Sequence, residues 1–501
     1  MSAKPIRRSA LLALALLMAA AVPVRAITPP TFTVVDSIYP GGDSSGAMDE
    51  SESVAMGDYL YFEAQGETTG DELWRTNGTT TELVKDIDAG TDNSNPDNFA
   101  VFGDYLYFEA RDDANGYELW RTNGTEAGTT LVKDINPGPD SSGPDHFTAL
   151  GGFLYFYAND GTTGHEVWRT NGTALGTTRI SDISPGAGDS YARNFTVLGD
   201  YLYFAAGDGT NGDELWRTNG TSPTLVKEIN PGPNSSDPNS FVALGGYLYF
   251  EASEDTIGYE LWRTNGTESG TTLVLDINQG IGSSNFYDLT AYNGNLYFAA
   301  NDGSLGYELW RTDGTESGTT MVSDTNPGPD GSYPNFLTVL GDYLYFKAND
   351  GLTGNEVWRS NGTTVTQVGD IVSGASGSGP EYFTLLGDFL YFAAYDGDDD
   401  YIFRTDGTLT EIVPFPVAGQ HVSCDCYDTN IVAVGGRLFT TVYASDIGRE
   451  FAWLTEPTYV LPETNRGGGV GSAWTIALSA LALVTLAAGV GLRRRAGATQ
   501  R

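Results

Sequence analysis

Short stretches rich in Tyr, Phe, Val, Leu and Thr recur along the chain, separated by Gly, Asn and Asp. Aromatic and β-branched residues favour a pleated surface, and Gly or Asn supplies the positive φ that tight hairpin turns need. One segment shows the pattern. Phe195 to Leu198 reads as a first strand, Gly199-Asp200 as a two-residue turn, and Tyr201 to Ala206 as a second strand. Asp213 to Thr218 and Thr224 to Ile229 read as a third and a fourth. Equivalent turn pairs stand at Gly57-Asp58, Gly151-Gly152, Asn293-Gly294 and Gly435-Gly436.

The unit repeats. Trp74, Trp120, Trp168, Trp216, Trp262, Trp310 and Trp358 are spaced by 46, 48, 48, 46, 48 and 48 residues. Phe403 takes the same place in an eighth copy, and a degenerate ninth surrounds Glu450 to Trp453. Four short antiparallel strands at such a period describe the blade of a propeller. The two-residue length variation falls between strands three and four, where it leaves every flanking side chain on its own face. The chain begins with what resembles a fourth strand (Thr31 to Ile38) and ends with strands one to three (Ile431 to Val434, Arg437 to Tyr443, Glu450 to Leu454). The fold expected is all-β: a single β-propeller of four-stranded antiparallel blades with nine repeats, or eight blades plus one docked extra, its ring closed by the N-terminal strand.

The segment from Glu118 to Thr125 (Glu-Leu-Trp-Arg-Thr-Asn-Gly-Thr) resembles the ELWxxDGT repeat of bacterial surface proteins, and Glu308 to Thr315 matches it fully, with Asp313 in the Asp place. A looser similarity links the copies to kelch-type blades. The resemblance implies a propeller-like extracellular protein, covers roughly residues 27 to 456, and implies no chemistry.

The two ends bear on location. Lys4, Arg7 and Arg8, an apolar run from Ala10 to Val22, and Val24-Arg25-Ala26 read as a signal peptide over 1–26. Trp474 to Leu492 carries no charge and is long enough to span a bilayer, and Arg493, Arg494 and Arg495 follow, which places the preceding chain outside. Leu461-Pro462-Glu463-Thr464-Asn465, in the linker 457–473, resembles with this span and the basic tail 493–501 the sorting signal read by sortases. That pattern ends in Gly where this chain has Asn465, so covalent wall attachment and a plain membrane anchor both stand.

The chain holds 65 acidic and 26 basic residues, a formal net charge of −39. Nine of the basic residues lie in the two ends, and only Glu463 of the acids lies beyond residue 456, which leaves the repeat region with 64 acidic and 17 basic residues. Such a field repels nucleic acid and anionic membranes. The long polar links should gather on one face, the working face. Oxygen-rich loops suit calcium, and Asp396, Asp398, Asp399 and Asp400 form the densest cluster. The repeated Trp reads as packing between blades. The repeated Arg (Arg75, Arg121 and their equivalents) is expected to pair with a carboxylate such as Asp86 or Asp134. No catalytic residue is assigned: His146, His165 and His421 occupy no matching positions that converge, and Cys424 and Cys426 make no zinc site. The function expected is non-enzymatic binding or adhesion at the cell surface, to a polymer, a cell or a protein partner. The alternative is a polysaccharide hydrolase or lyase on the same scaffold.

Overall fold

The structure is a computed structural model that describes residues 30, 32–34, 53–414, 431–444 and 448–455. The signal segment, His421, Cys424, Cys426, Leu461 to Asn465 and the apolar stretch 474–492 lie outside the described residues. Among the described residues no helix is long and apolar enough to cross a membrane.

Nine four-stranded antiparallel sheets follow one another as the blades of a β-propeller. Blade 1 consists of Val54–Met56, Tyr59–Gly66, Gly70–Thr76 and Thr81–Lys85. Blade 4, Arg193–Leu198, Tyr201–Gly207, Asp213–Thr218 and Thr224–Lys227, matches the strands read from the sequence to within two residues. First strands of successive blades touch one another and so form the inner ring.

Nine apolar cores lie among the described residues, and each joins two consecutive blades. Tyr107 and Leu119 of blade 2 meet Leu154, Phe156 and Trp168 of blade 3. The eight further cores repeat this arrangement, and one joins Leu60 and Phe62 of blade 1 to Val434 and Phe439 of blade 9. Nine blades and nine junctions make a closed ring, which decides between nine blades and eight plus one. Blade 9 takes its fourth strand from the other end of the chain: Thr33 pairs with Trp453 and Val34 with Ala452. Phe32 is buried beside Ile431 and Leu438. Each fully buried Leu or Phe contributes about 1.5–3 kcal/mol, and closure leaves no sheet edge at the ends of the array. Trp120, Trp168, Trp262 and Trp310 are buried in these junctions, as expected of packing residues.

The Glu of each Glu-Leu-Trp or Glu-Val-Trp segment ties a blade to its own outgoing loop. Glu118 is fully buried and accepts from the N–H of Ile135 (2.8 Å), Asn136 (3.1 Å) and Ser142 (3.1 Å) and from the Ser142 hydroxyl (2.7 Å). Glu72, Glu166, Glu214, Glu260, Glu308 and Glu356 are buried in the same place. Burial pushes Glu72, Glu118, Glu166, Glu214 and Glu260 up to about 7, against the pull of these hydrogen bonds.

The repeated Arg follows the reading above in two blades, where Arg75 and Arg404 pair with Glu82 and Glu411 on the adjoining strand, but the partners are not the Asp residues named there. Asp86 and Asp134 instead each accept the N–H of a turn glycine, Gly90 or Gly138 (3.3 Å). Arg75 bonds Glu82 through Nε (2.8 Å) while lying over the Tyr59 ring (4.2 Å). Arg121, Arg217, Arg263 and Arg359 lie over Tyr105, Tyr201, Tyr247 and Tyr343, and Arg169 over Phe153. Arg169 and Arg359 also donate to the Gly220 and Gly407 carbonyls of the next blade (2.9 and 3.0 Å). A guanidinium is flat enough to stack and bond at once. The same junction explains Gly124: at φ +88, a Cβ there would strike Tyr61 Oη and Arg75 Nη1.

Candidate functional site

Two sets of loops share one face of the ring. The loop leaving each blade folds back on the start of that blade's third strand. Ser94, Ser142 and Ser236 donate N–H to the Asp71, Tyr117 and Asp213 carbonyls, each at 3.0 Å. The link between strands two and three ends at the same point, so the long polar segments do gather on one side.

The inner strands carry a distortion at that end. In blades 2 to 8 the register slips near the start of the first strand, a bulge that sets one residue apart from the ladder. The second residue of each of these strands is left-handed: Asn98, His146, Asn194, Ser240, Asp288, Phe336 and Tyr382, at φ +55° to +61°. Asn tolerates this region, whereas for a large aromatic it is strained. The preceding side chain often holds the turn, as where Asp97 and Asn335 accept the N–H of Asn98 and Phe336 (2.8 Å each). Neighbouring inner strands are stitched together: Thr148, Thr290 and Thr384 donate to Phe195, Leu337 and Ile431 carbonyls, and Asp288 accepts the Leu337 N–H (2.8 Å). Asn98, Asp145, His146 and Asn194 line a cavity of about 310 Å³ between blades 2, 3 and 4.

A second group of positions meets at each blade junction: the first residue of the inner strand, the first of the third strand, and the residue two before the next blade's inner strand. At the blade 4/5 junction these are Arg193, Asp213 and Asp237. Arg193 bonds Asp213 at 2.7 Å and Asp237 at 3.1 Å. At the blade 6/7 junction they are Tyr287, Tyr307 and Tyr333. The Tyr307 ring centroid lies 5.5 Å from that of Tyr287 and 5.4 Å from that of Tyr333. Burial, with the neighbouring Tyr307, Asp288 and Tyr333, pushes the Tyr287 hydroxyl well above its ordinary range, so it stays a neutral donor. At the blade 3/4 junction His165 Nδ1 stands 3.0 Å from Asp189 and its ring stacks on Tyr157 at 5.2 Å.

Comparison with known proteins adds a distant likeness. No family model matches the chain, and no curated protein matches it. Among solved structures it is similar to a prolyl endopeptidase (12% identity, TM-score 0.38, covering 70% of this chain and 54% of that one). It is also similar to oligopeptidase B from Leishmania major (12%, 0.34, 70% and 53%) and to a puromycin-hydrolyzing peptidase from Mycobacterium tuberculosis (11%, 0.38, 69% and 57%). The chain thus spans little more than half the length of these proteins, and likeness this remote says nothing about chemistry.

The acidic cluster is placed in a turn. Asp396 accepts the N–H of Asp398 (2.8 Å) and Asp399 (3.0 Å), as Asp160, Asp208, Asp302 and Asp350 do in their own loops. Asp400 opens the third strand of blade 8, Asp400–Thr405, and borders a cavity of about 420 Å³ with Lys347, Glu381 and Tyr382. Among the described residues no group of three or more His, Cys, Asp or Glu is arranged to hold a metal ion. The junction and inner-ring positions were missed by the sequence reading. Their signal is present: the pairs Asp97-Asn98, Asp145-His146, Arg193-Asn194, Asn239-Ser240, Tyr287-Asp288, Asn335-Phe336 and Glu381-Tyr382 differ in every copy beside strands that barely change.

Proposed function

We propose that this protein is a non-enzymatic binding or adhesion protein of the cell exterior, exported by its N-terminal signal and held by its C-terminal span. The ELWxxDGT-like repeats, the charge and the sorting-like motif support that placement. The propeller would present its loop face and inner mouth to a polymer, a cell or a protein partner. One observation carries this reading: on a scaffold repeated almost unchanged, the side chains that differ from blade to blade gather on one face, at strained or half-exposed positions. Selection for packing alone would give every blade the same residues there. Backbone strain in non-glycine residues is retained where function or surroundings demand it.

A specific observation keeps the hydrolase or lyase reading alive. Glu109 is pushed up to about 7, first by burial, and faces Asp97 across the strand pair. A carboxyl of raised pKa beside a second carboxyl is the arrangement that glycoside hydrolysis uses. The test is incubation of the repeat region (27–456) with polysaccharides, wall fragments and whole cells. Retention without cleavage is the expected result. Release of sugar fragments, lost in Glu109→Gln, would replace the binding reading with the enzymatic one.

A further inference from the structure

Building on the surface-binding reading, we propose that the blade 6/7 junction is a subsite for neutral, polyhydroxylated sugar chains, which stack on Tyr287, Tyr307 and Tyr333. These three rings take no part in any of the nine inter-blade cores, so packing does not account for them. Tyr333 is 54% exposed, and Tyr287 and Tyr307 are half-buried around it. The other described junctions place no three aromatic rings in these positions. The Tyr307 place holds Asp71, Tyr117, His165, Asp213, Tyr259 and Asn355 elsewhere, and the Tyr333 place holds Asn95, Gly143, Tyr191, Asp237, Asn285 and Gly379.

The chemistry selects the ligand. A sugar ring offers a C–H face to an aromatic ring and hydroxyls to its polar rim, and Tyr meets both needs with little entropy to lose. The three phenols bring a hydroxyl to each ring. Lys347, which pairs with Asn335 two residues past Tyr333, is bonded to Glu381 at 2.8 Å, and a chain of net charge −39 repels polyanions. A few polar groups around an aromatic floor describe a neutral carbohydrate site better than an ionic one.

Affinity electrophoresis of the repeat region through gels containing a β-glucan, a mannan, starch or alginate tests this. Retardation by at least one neutral polymer and none by alginate is expected. Tyr333→Asn and Tyr307→Asn should each weaken it about tenfold or more. Both variants copy residues that other blades carry at these places, so the fold tolerates them. Tyr333→Phe should keep most of the retardation, and Asp200→Asn, in the turn between the first two strands of blade 4, should leave it unchanged. Retardation that survives both Tyr→Asn changes, or that favours alginate, overturns the subsite. If no polysaccharide retards the protein while wall protein or whole cells still capture it, the sugar subsite falls and the surface-binding reading stands.

Discussion

The junctions between blades 4 and 5 and between blades 6 and 7 are built on one backbone and filled with opposite chemistry. In the first, Arg193 bridges Asp213 and Asp237; in the second, the corresponding Tyr287, Tyr307 and Tyr333 form a chain of rings. Beneath each, the scaffold is the same. Glu214 accepts from Ile229, Asn230 and Ser236, and Glu308 from Thr325, Asn326 and Ser332. The inner strand bulges at the same step in blades 4 and 6. The difference teaches that the propeller draws its stability from strands two and three and their buried Glu. What stands at the junction surface is left free, and an ion-pair cluster or an aromatic floor fits equally well.

The strongest way to break that comparison is pH. The buried Glu are protonated in the fold at pH values where the unfolded chain has already released those protons. Native protein therefore holds extra protons between the ordinary value of 4.5 and about 7, and stability must fall as pH rises through that window. Melting temperature should climb on acidification from pH 8 to pH 5, and relief of repulsion among the surplus acids adds to it. Amide protection at Ile229 and Thr325 should rise together. A rise at one junction without the other would show that the scaffolds differ after all.

A smaller effect isolates one blade. Glu214→Ala leaves three buried donors without an acceptor, and Glu308→Ala leaves one buried and two half-buried, at roughly 1–3 kcal/mol apiece where buried. Urea denaturation should report a loss of about 3 kcal/mol or more for Glu214→Ala and a smaller loss for Glu308→Ala. A cost confined to Glu214 would mean that the aromatic junction supports its blade in another way.

Much of this architecture was legible because it is periodic. The Trp spacing, the Gly-Asp hairpins and the orphan strand at the N-terminus sufficed to place nine repeats and the closing strand, since turn chemistry and alternation act locally, while the choice between nine blades and eight plus one took the nine junctions of the closed ring. Three things were not legible, each for a physical reason. Glu118 and its equivalents were hidden among 65 acids, because burial, which singles them out, is a tertiary property. Arg121 looked like half of an ion pair, because cross-strand stacking on Tyr105 needs the register between strands two and three. Asp145-His146 and Asn335-Phe336 drew no reading from the sequence, because nothing in local composition announces a bulge on non-glycine residues.

The smallest effect concerns strain. Asn194, next to Arg193, and Phe336, three residues past Tyr333, hold the same left-handed conformation at φ +61 and +60. Asn enters that region cheaply, whereas a large side chain is held there at a cost of order 1–3 kcal/mol. Phe336 recovers part of it by stacking on Phe383 at 5.7 Å and by lying under Lys347 at 5.7 Å, contacts worth about 0.5–1.5 kcal/mol. Phe336→Asn should therefore raise stability by about 0.5–1.5 kcal/mol, the difference between relieved strain and lost contact. Asn194→Phe, which gains strain and no built partner, should lower it by about 1–2 kcal/mol. Paired urea midpoints at constant m-value read both changes. If Phe336→Asn proves destabilising, the aromatic is there for packing, and the two sectors differ in architecture rather than in what their surfaces are free to bind.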